Sequence, residues 1–294
     1  MSFKVDNAVI MAAGTSSRFA PLSYEKPKAL AEVRGEILIE RQIRQLKEAG
    51  IGEILVVTGS RGEQFAYLKD KFGAELLENP EALTRNNNST IWTVKERLGN
   101  SYICSSDNYF TENPFEAEVA EPYYAAVYSE GPTREWCMTE DAEGYIDSVT
   151  VGGSDAWYML GQAFWDREFS RQFTKILEEI YDLPETAGLL WEAIYMRYLD
   201  RLKLKIRKYP PGIIYEFDTL DELREFDPSY VDDTRSVILK DLAQRLGVRE
   251  AEIVNITPVK TTNNAADGIL FTARDRQYVY DYGTETVREK GKEE

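Results

Sequence analysis

A chain of 294 residues, 43% of them hydrophobic, can bury a sizeable core, and it has no apolar stretch near the ~20 residues that a membrane-spanning helix needs. A formal net charge of −16 excludes an extended nucleic-acid surface, which requires a basic stripe, yet leaves room for one anionic ligand held by local Lys and Arg side chains. The count of zero histidines is the sharper exclusion: it removes Ser–His and Cys–His nucleophilic machinery and most zinc sites. An enzyme built on this chain must therefore work with carboxylates, Lys, Arg and a hard metal ion.

The N-terminus lacks the apolar core of a secretory signal, so the cytosol is the expected compartment. Residues 8–12 form an apolar, strand-like run that ends at Gly14. Leu38, Ile39, Ile43 and Leu46 recur at helical spacing up to Gly50, and 54–57 is a β-branched strand before Gly59. A helix over 63–72, a strand at 74–77, a helix over 88–98 and a strand at 102–105 continue the alternation. This βαβ order predicts an α/β fold with a mostly parallel sheet covered by helices. Four short strands (124–128, 135–139, 145–151, 158–163), helices over 167–181 and 187–201, and strands near 204–208 and 213–217 read as an elaboration on that sheet. Asp227-Pro228 closes the main pattern. Beyond it, Val237, Ile238, Leu242 and Leu246 share a helical face stopped by Gly247. Strands near 253–259, 268–273 and 277–281 and a charged, fraying tail follow. The expected division is a domain over 1–230 and a small α+β appendage over 231–294. Cys104 and Cys137 have no metal-ligand spacing and read as buried thiols.

Chemistry concentrates first in Met11-Ala-Ala-Gly-Thr-Ser-Ser-Arg18-Phe-Ala-Pro21-Leu-Ser-Tyr-Glu-Lys26-Pro27-Lys28-Ala29-Leu30. A strand ending in small residues and a glycine lets backbone pass close to a phosphate and base. Backbone N–H groups and Arg18 then meet the anionic tail, and Lys28 reaches across the same loop. Asp107, in Cys104-Ser-Ser-Asp-Asn-Tyr109 just past a strand end, either holds Mg²⁺ against a triphosphate or closes the strand as an Asx-turn residue. Asn86-Asn87-Asn88-Ser89 either caps the next helix or contacts ligand.

The long first segment resembles the signature of the sugar-phosphate and choline-phosphate nucleotidyltransferases, Ala-Ala-Gly-x-Gly-x-Arg followed by Pro-Lys-x-Leu. Ser16 stands where that pattern has its second glycine. The resemblance implies a Rossmann-like mixed sheet of the GT-A-like type. It gives Arg18 to the β and γ phosphates, Lys28 to the reacting phosphates, and Asp107 and Asp218 to Mg²⁺. Ala12, Ala13, Gly14, Thr15, Ser16, Asn87, Asn88 and Ser106 join Arg18 as nucleotide-binding residues.

Within that group, Asp107-Asn108-Tyr109, Trp136, Trp191-Glu192 and Tyr215 look like the bacterial lic-type phosphocholine cytidylyltransferases, whose substrates are CTP and phosphocholine. A quaternary ammonium has no N–H donors, so aromatic faces and a carboxylate recognise it. Trp136, Trp191 and Tyr215 are the expected cage walls and Glu192 the counter-charge. Each aromatic could equally be core. The alternatives are another acceptor (a sugar 1-phosphate, inositol phosphate or phosphoethanolamine) or a silent nucleotide-binding regulatory subunit. The resemblance spans 7–226. In the tail, the segments 256–264, 268–271 and 276–280 look like the opening strands of choline-kinase-type phosphotransferases, without a kinase's catalytic Asp motifs. Such a module serves packing or homodimer formation, or opens a longer fused chain.

Overall fold

Ala8, Val9 and Ile10 are wholly withdrawn from solvent in the strand Asn7–Ala12. It pairs in parallel with Glu53–Thr58 on one side and Ser101–Ser105 on the other. A strand covered on both faces shows no polar alternation, and this is why its sequence is a continuous apolar run. The computed structural model describes residues 2–260 and 266–291. Residues 261–264 of the 256–264 segment and the tail end 292–294 lie outside the described residues.

The chain forms two compact units, Met1–Gly14 with Ile39–Glu216, and Thr15–Leu38 with Phe217–Glu294. The first holds a seven-stranded sheet. Its order is Lys205–Tyr209, Tyr123–Glu140, Ile146–Trp165, Ser101–Ser105, Asn7–Ala12, Glu53–Thr58, Glu75–Glu78. Ile146–Trp165 runs antiparallel to both neighbours, and every other pairing is parallel. The mostly parallel α/β sheet is therefore as expected.

Its elaboration differs from the four short strands expected. Tyr123–Glu140 and Ile146–Trp165 are two long strands paired as one hairpin, with register shifts near Pro132 and Trp136. Gly131 and Gly152 adopt positive φ within them, at 76° and 81°. Such glycines read as strand ends in sequence but act here as bulges inside continuous strands. The expected helix over 187–201 is shorter, Trp191–Arg197, because Pro184 and Gly188 hold the preceding chain in a 3₁₀ turn and loop. Asp166 caps Arg167–Ile180, accepting from the Phe169 N–H at 2.7 Å. Trp165 packs against Phe169, Phe173 and Trp191, with ring centroids 4.7–5.0 Å away. Cys104 and Cys137 are buried and unbridged.

The second unit contains the helix Val237–Leu246, started by a Ser236 cap and stopped by left-handed Gly247. A four-stranded antiparallel sheet follows in the order Val254–Lys260, Ala266–Ala273, Arg276–Asp281, Thr286–Glu289. Among its elements that escaped the sequence reading are the edge strand Thr286–Glu289 and the helix Leu220–Phe226.

Gly59 follows the strand Glu53–Thr58, and a Cβ there would fall 2.7 Å from the Ala13 carbonyl oxygen and 3.3 Å from the Ala82 Cβ. Gly59→Ala should therefore cost about 1–3 kcal/mol, as overpacking does. Urea unfolding reads this as a lower midpoint at unchanged slope. An unchanged midpoint would mean that the end of the first strand yields without cost.

Candidate active site

The second unit places the cations of the signature segment. Ser16 has φ 48° and ψ 44°, the left-handed conformation that favours glycine. The loop thus keeps a glycine-like backbone where the family pattern has glycine, at a cost of roughly 1–2 kcal/mol. Ser16 O then accepts from the Phe19 N–H at 2.9 Å, so that the turn Ser17–Phe19 carries Arg18 outward. Thr15 and Arg18 are exposed.

Lys28 is the opposite case, with a side chain only 4% exposed. Its Nζ lies 3.7 Å from Asp218 Oδ1 and 5.7 Å from the Phe19 ring centroid. Arg18 Nη1 lies 2.7 Å from Asp218 Oδ2. Three expected site residues therefore meet on one carboxylate. The backbone of Asp218 is fixed in turn, since its N–H and that of Thr219 both donate to Glu222 Oε2, at 2.6 and 3.0 Å.

The first unit places the end of the first strand and the acceptor residues. Ala12 and Ala13 are buried, whereas Gly14 is exposed and a Cβ on it would meet nothing within 4 Å. Packing therefore does not demand glycine there. Ser106 and Asp107 are half-buried in the turn between Ser101–Ser105 and Asn108–Phe110. Gln42 Nε2 steadies that turn by donating to Ser105 O at 3.0 Å.

Glu192 is the most unusual group of this unit. Its residue is 9% exposed, Oε2 accepts from Asn87 Nδ2 at 3.2 Å, and Oε1 accepts from the Tyr124 hydroxyl at 3.3 Å. Burial pushes its carboxyl up to about 7, and hydrogen bonds from its own backbone N–H, Asn87 and Tyr124 only partly oppose that. Tyr124, beside Glu192 and Glu216, is itself held well above the usual phenol range, chiefly by burial.

The three expected cage walls fare differently. Trp136 and Tyr215 are half-buried, Trp136 packed against the main core and Tyr215 paired with Tyr109 across two short strands. Trp191 is 1% exposed and stacks on Tyr124 at 5.6 Å, with Trp165 and Phe173 at its edges. It is a core side chain with no open face, which corrects the expectation of a three-walled box. Its neighbour in sequence, Glu192, turns its carboxylate to Asn87 and Tyr124 instead.

Asn87 and Asn88 also do different work from that expected. Asn87 Oδ1 accepts from the Trp191 N–H at 2.6 Å. Asn88 is wholly buried, and its Nδ2 donates to Thr186 O at 3.0 Å and to Leu189 O. Both amides hold the 186–192 segment that presents Glu192.

Known proteins are similar to this chain in sequence and fold. A MobA-like NTP transferase domain model matches residues 8–105. The choline-phosphate cytidylyltransferase of Streptococcus pneumoniae is 32% identical over 220 residues, covering 75% of this chain and 96% of that protein. The solved CTP:phosphocholine cytidylyltransferase from Streptococcus pneumoniae superposes with a TM-score of 0.74, covering 77% of this chain and 99% of that one. The chain belongs to the choline-phosphate cytidylyltransferase family.

It is thus a nucleotidyltransferase. The family is not uniform in acceptor, since the 2-aminoethylphosphonate cytidylyltransferase of Lancefieldella rimae is 33% identical over 229 residues, covering 76% of this chain and 93% of that protein. Beside the residues that sequence singled out, the first unit brings in Tyr124, which bonds Glu192, and Glu216, whose Oε2 accepts from Asn108 Nδ2 at 3.4 Å. Tyr124 gave no signal because it sits in an apolar strand. Glu216 lies between the singled-out Tyr215 and Asp218 and was open to notice.

Because the folded carboxyl of Glu192 titrates near 7, above the ordinary value of 4.5, the folded chain binds the extra proton between those values. Stability contributed there is present at low pH and lost as pH rises to about 7. Glu192→Gln removes this loss, so the variant should gain on the order of 2 kcal/mol over wild type between pH 5 and pH 8 in urea unfolding. Parallel pH profiles would show that Glu192 titrates as an ordinary surface carboxylate.

Proposed function

We propose that this enzyme transfers a cytidylyl group from CTP to phosphocholine, giving CDP-choline and pyrophosphate. The observation that carries the acceptor assignment is the buried Glu192 carboxylate, held by Tyr124 and Asn87 with half-buried aromatic residues on the same unit. A carboxylate withdrawn from water calls for a cation, and the ammonium head of phosphocholine supplies one.

In the reaction a phosphate oxygen of phosphocholine attacks the α-phosphorus of CTP. One P–O bond forms, and the bond to the bridging oxygen of the leaving pyrophosphate breaks. The nucleophile is already anionic, so no protein base is needed, which suits a chain without histidine. The protein's task is to offset the repulsion between anions. Lys28, nearly buried, faces the reacting phosphates, and exposed Arg18 the β and γ phosphates. Both now rest on Asp218, and a triphosphate offers them the same charge in larger measure.

Mg²⁺ is the cofactor in this reading. Among the described residues no three His, Cys, Asp or Glu side chains group to hold a metal alone. We assign Mg²⁺ to the Asp107 and Asp218 carboxylates, a donor type that suits a hard cation completed by substrate phosphates. When bound, that cation would neutralise charge developing on the phosphates. The reaction belongs in the cytosol, where CTP is available.

A second acceptor class has its own support. Trp191 is closed to ligand while Glu192 and Glu216 both lie near Tyr124. Oxygen acceptors of this kind suit a primary ammonium, as in phosphoethanolamine or 2-aminoethylphosphonate. For the C-terminal unit we read a helix and antiparallel strands resembling the opening of choline-kinase-type phosphotransferases, and we assign it no kinase step.

Pyrophosphate release with Mg²⁺ across a matrix of NTPs and acceptors tests the reading. Turnover confined to CTP with phosphocholine is expected. Turnover confined to a primary amine acceptor would move the assignment to the second class, and no turnover with any pair would leave a silent nucleotide-binding subunit. Lys28→Ala should lower kcat about a hundredfold; a kcat near wild type would remove Lys28 from the reacting centre.

A further inference from the structure

We propose that the C-terminal extension acts as a clamp on the phosphate-binding loop, with Glu25 as its central positioning residue; this rests on the assignment of Arg18 and Lys28 to the triphosphate. About a quarter of the chain lies outside the match to the pneumococcal structure, which is itself covered to 99%. The extension, Phe226 onward, lies in the second unit with the signature loop. Within the second unit it contacts the signature loop on both sides of Lys28.

Upstream, Glu25 ends the helical turn Leu22–Glu25. Its Oε1 accepts from Ser236 Oγ at 2.5 Å and from the Ile238 N–H at 3.0 Å, and its Oε2 from the Val237 N–H at 3.0 Å. One loop carboxylate thus satisfies the opening of the helix Val237–Leu246, where the helix dipole favours negative charge. The adjacent Tyr24 ring stacks on Tyr282 with centroids 3.8 Å apart and planes 17° apart.

Downstream, Glu32 O accepts from the Tyr230 hydroxyl at 2.6 Å and from Arg235 Nη1 at 3.0 Å. The Arg34 N–H donates to Asp227 Oδ2 at 2.7 Å, and its guanidinium lies 3.8 Å over the Phe226 ring. Ser236, Thr234 and Tyr230 are buried, so these anchors sit on packed parts of the extension.

The loop between the two sets carries Lys28 and presents it to Asp218. Holding the loop before ligand arrives removes an ordering cost from triphosphate binding. Glu25 touches neither substrate nor Lys28 in this scheme; it acts through the backbone between them.

The test uses the full chain with Glu25→Gln and Tyr282→Ala, read by amide hydrogen exchange over residues 15–38 and by steady-state kinetics. Loop exchange should rise in both variants while exchange over 39–216 stays as in wild type. KM for CTP should rise about fivefold in E25Q, with KM for the acceptor within about twofold of wild type. Tyr282→Phe should restore wild-type values. Should E25Q fail to fold, Y282A carries the comparison, because it leaves the Glu25 hydrogen bonds in place. Folded variants with unchanged loop exchange and unchanged KM for CTP would overturn the clamp. Absence of turnover in the wild type would overturn the substrate reading instead, and the exchange comparison would still decide the clamp.

Discussion

Two charges are withdrawn from water in this protein, and they have opposite signs. Lys28 in one unit has a side chain 4% exposed, and Glu192 in the other is 9% exposed. Burying an ionic group costs several kcal/mol unless a counter-charge meets it. Lys28 finds one in Asp218. Glu192 receives neutral donors, its own backbone N–H, Asn87 and Tyr124, and is left part-protonated near neutral pH. The proposed substrates carry the opposite charges, an anionic triphosphate for Lys28 and an acceptor with a cationic head for Glu192.

The scaffold around each charge follows from that need. In the first unit the Asn87 and Asn88 amides fasten the 186–192 segment, and Trp191 anchors it in the aromatic core. Glu192 is delivered by a rigid base rather than by a loose loop. In the second unit the Thr219–Glu222 capping box fixes Asp218, and Ser16 accepts a left-handed backbone so that the loop can turn Arg18 outward. Ser16 is a case where local backbone preference yields to the geometry of the loop.

Much of this was legible in the sequence, for physical reasons that also mark the limits. A strand buried on both faces reads as an apolar run, so the parallel sheet was visible from Ala8, Ile54 and Tyr102 onward. The Lys-Pro-Lys-Ala-Leu segment and the absence of histidine together pointed to phosphate chemistry. The long hairpin was misread because Gly131 and Gly152 look like strand ends although they are bulges. The helix Leu220–Phe226 had a visible signal, the Thr219-x-x-Glu222 capping box, which went unread. Tyr124 and Glu25 had none. Their partners lie 68 and 211 residues away, and no local pattern encodes such a contact. Trp191 illustrates the converse: an aromatic beside a site carboxylate looks like a cage wall until burial shows that it is core.

The most direct test of this account is calorimetric titration of the enzyme with phosphocholine at pH 7 in buffers of different ionisation enthalpy, with Glu192→Gln alongside. A carboxyl that titrates near 7 is about half protonated at that pH and must lose its proton to face an ammonium. Wild type should therefore release about half a proton per site more than Glu192→Gln, which should also bind more weakly. Equal proton release and equal affinity in the two proteins would show that the buried carboxylate is not the acceptor's counter-charge.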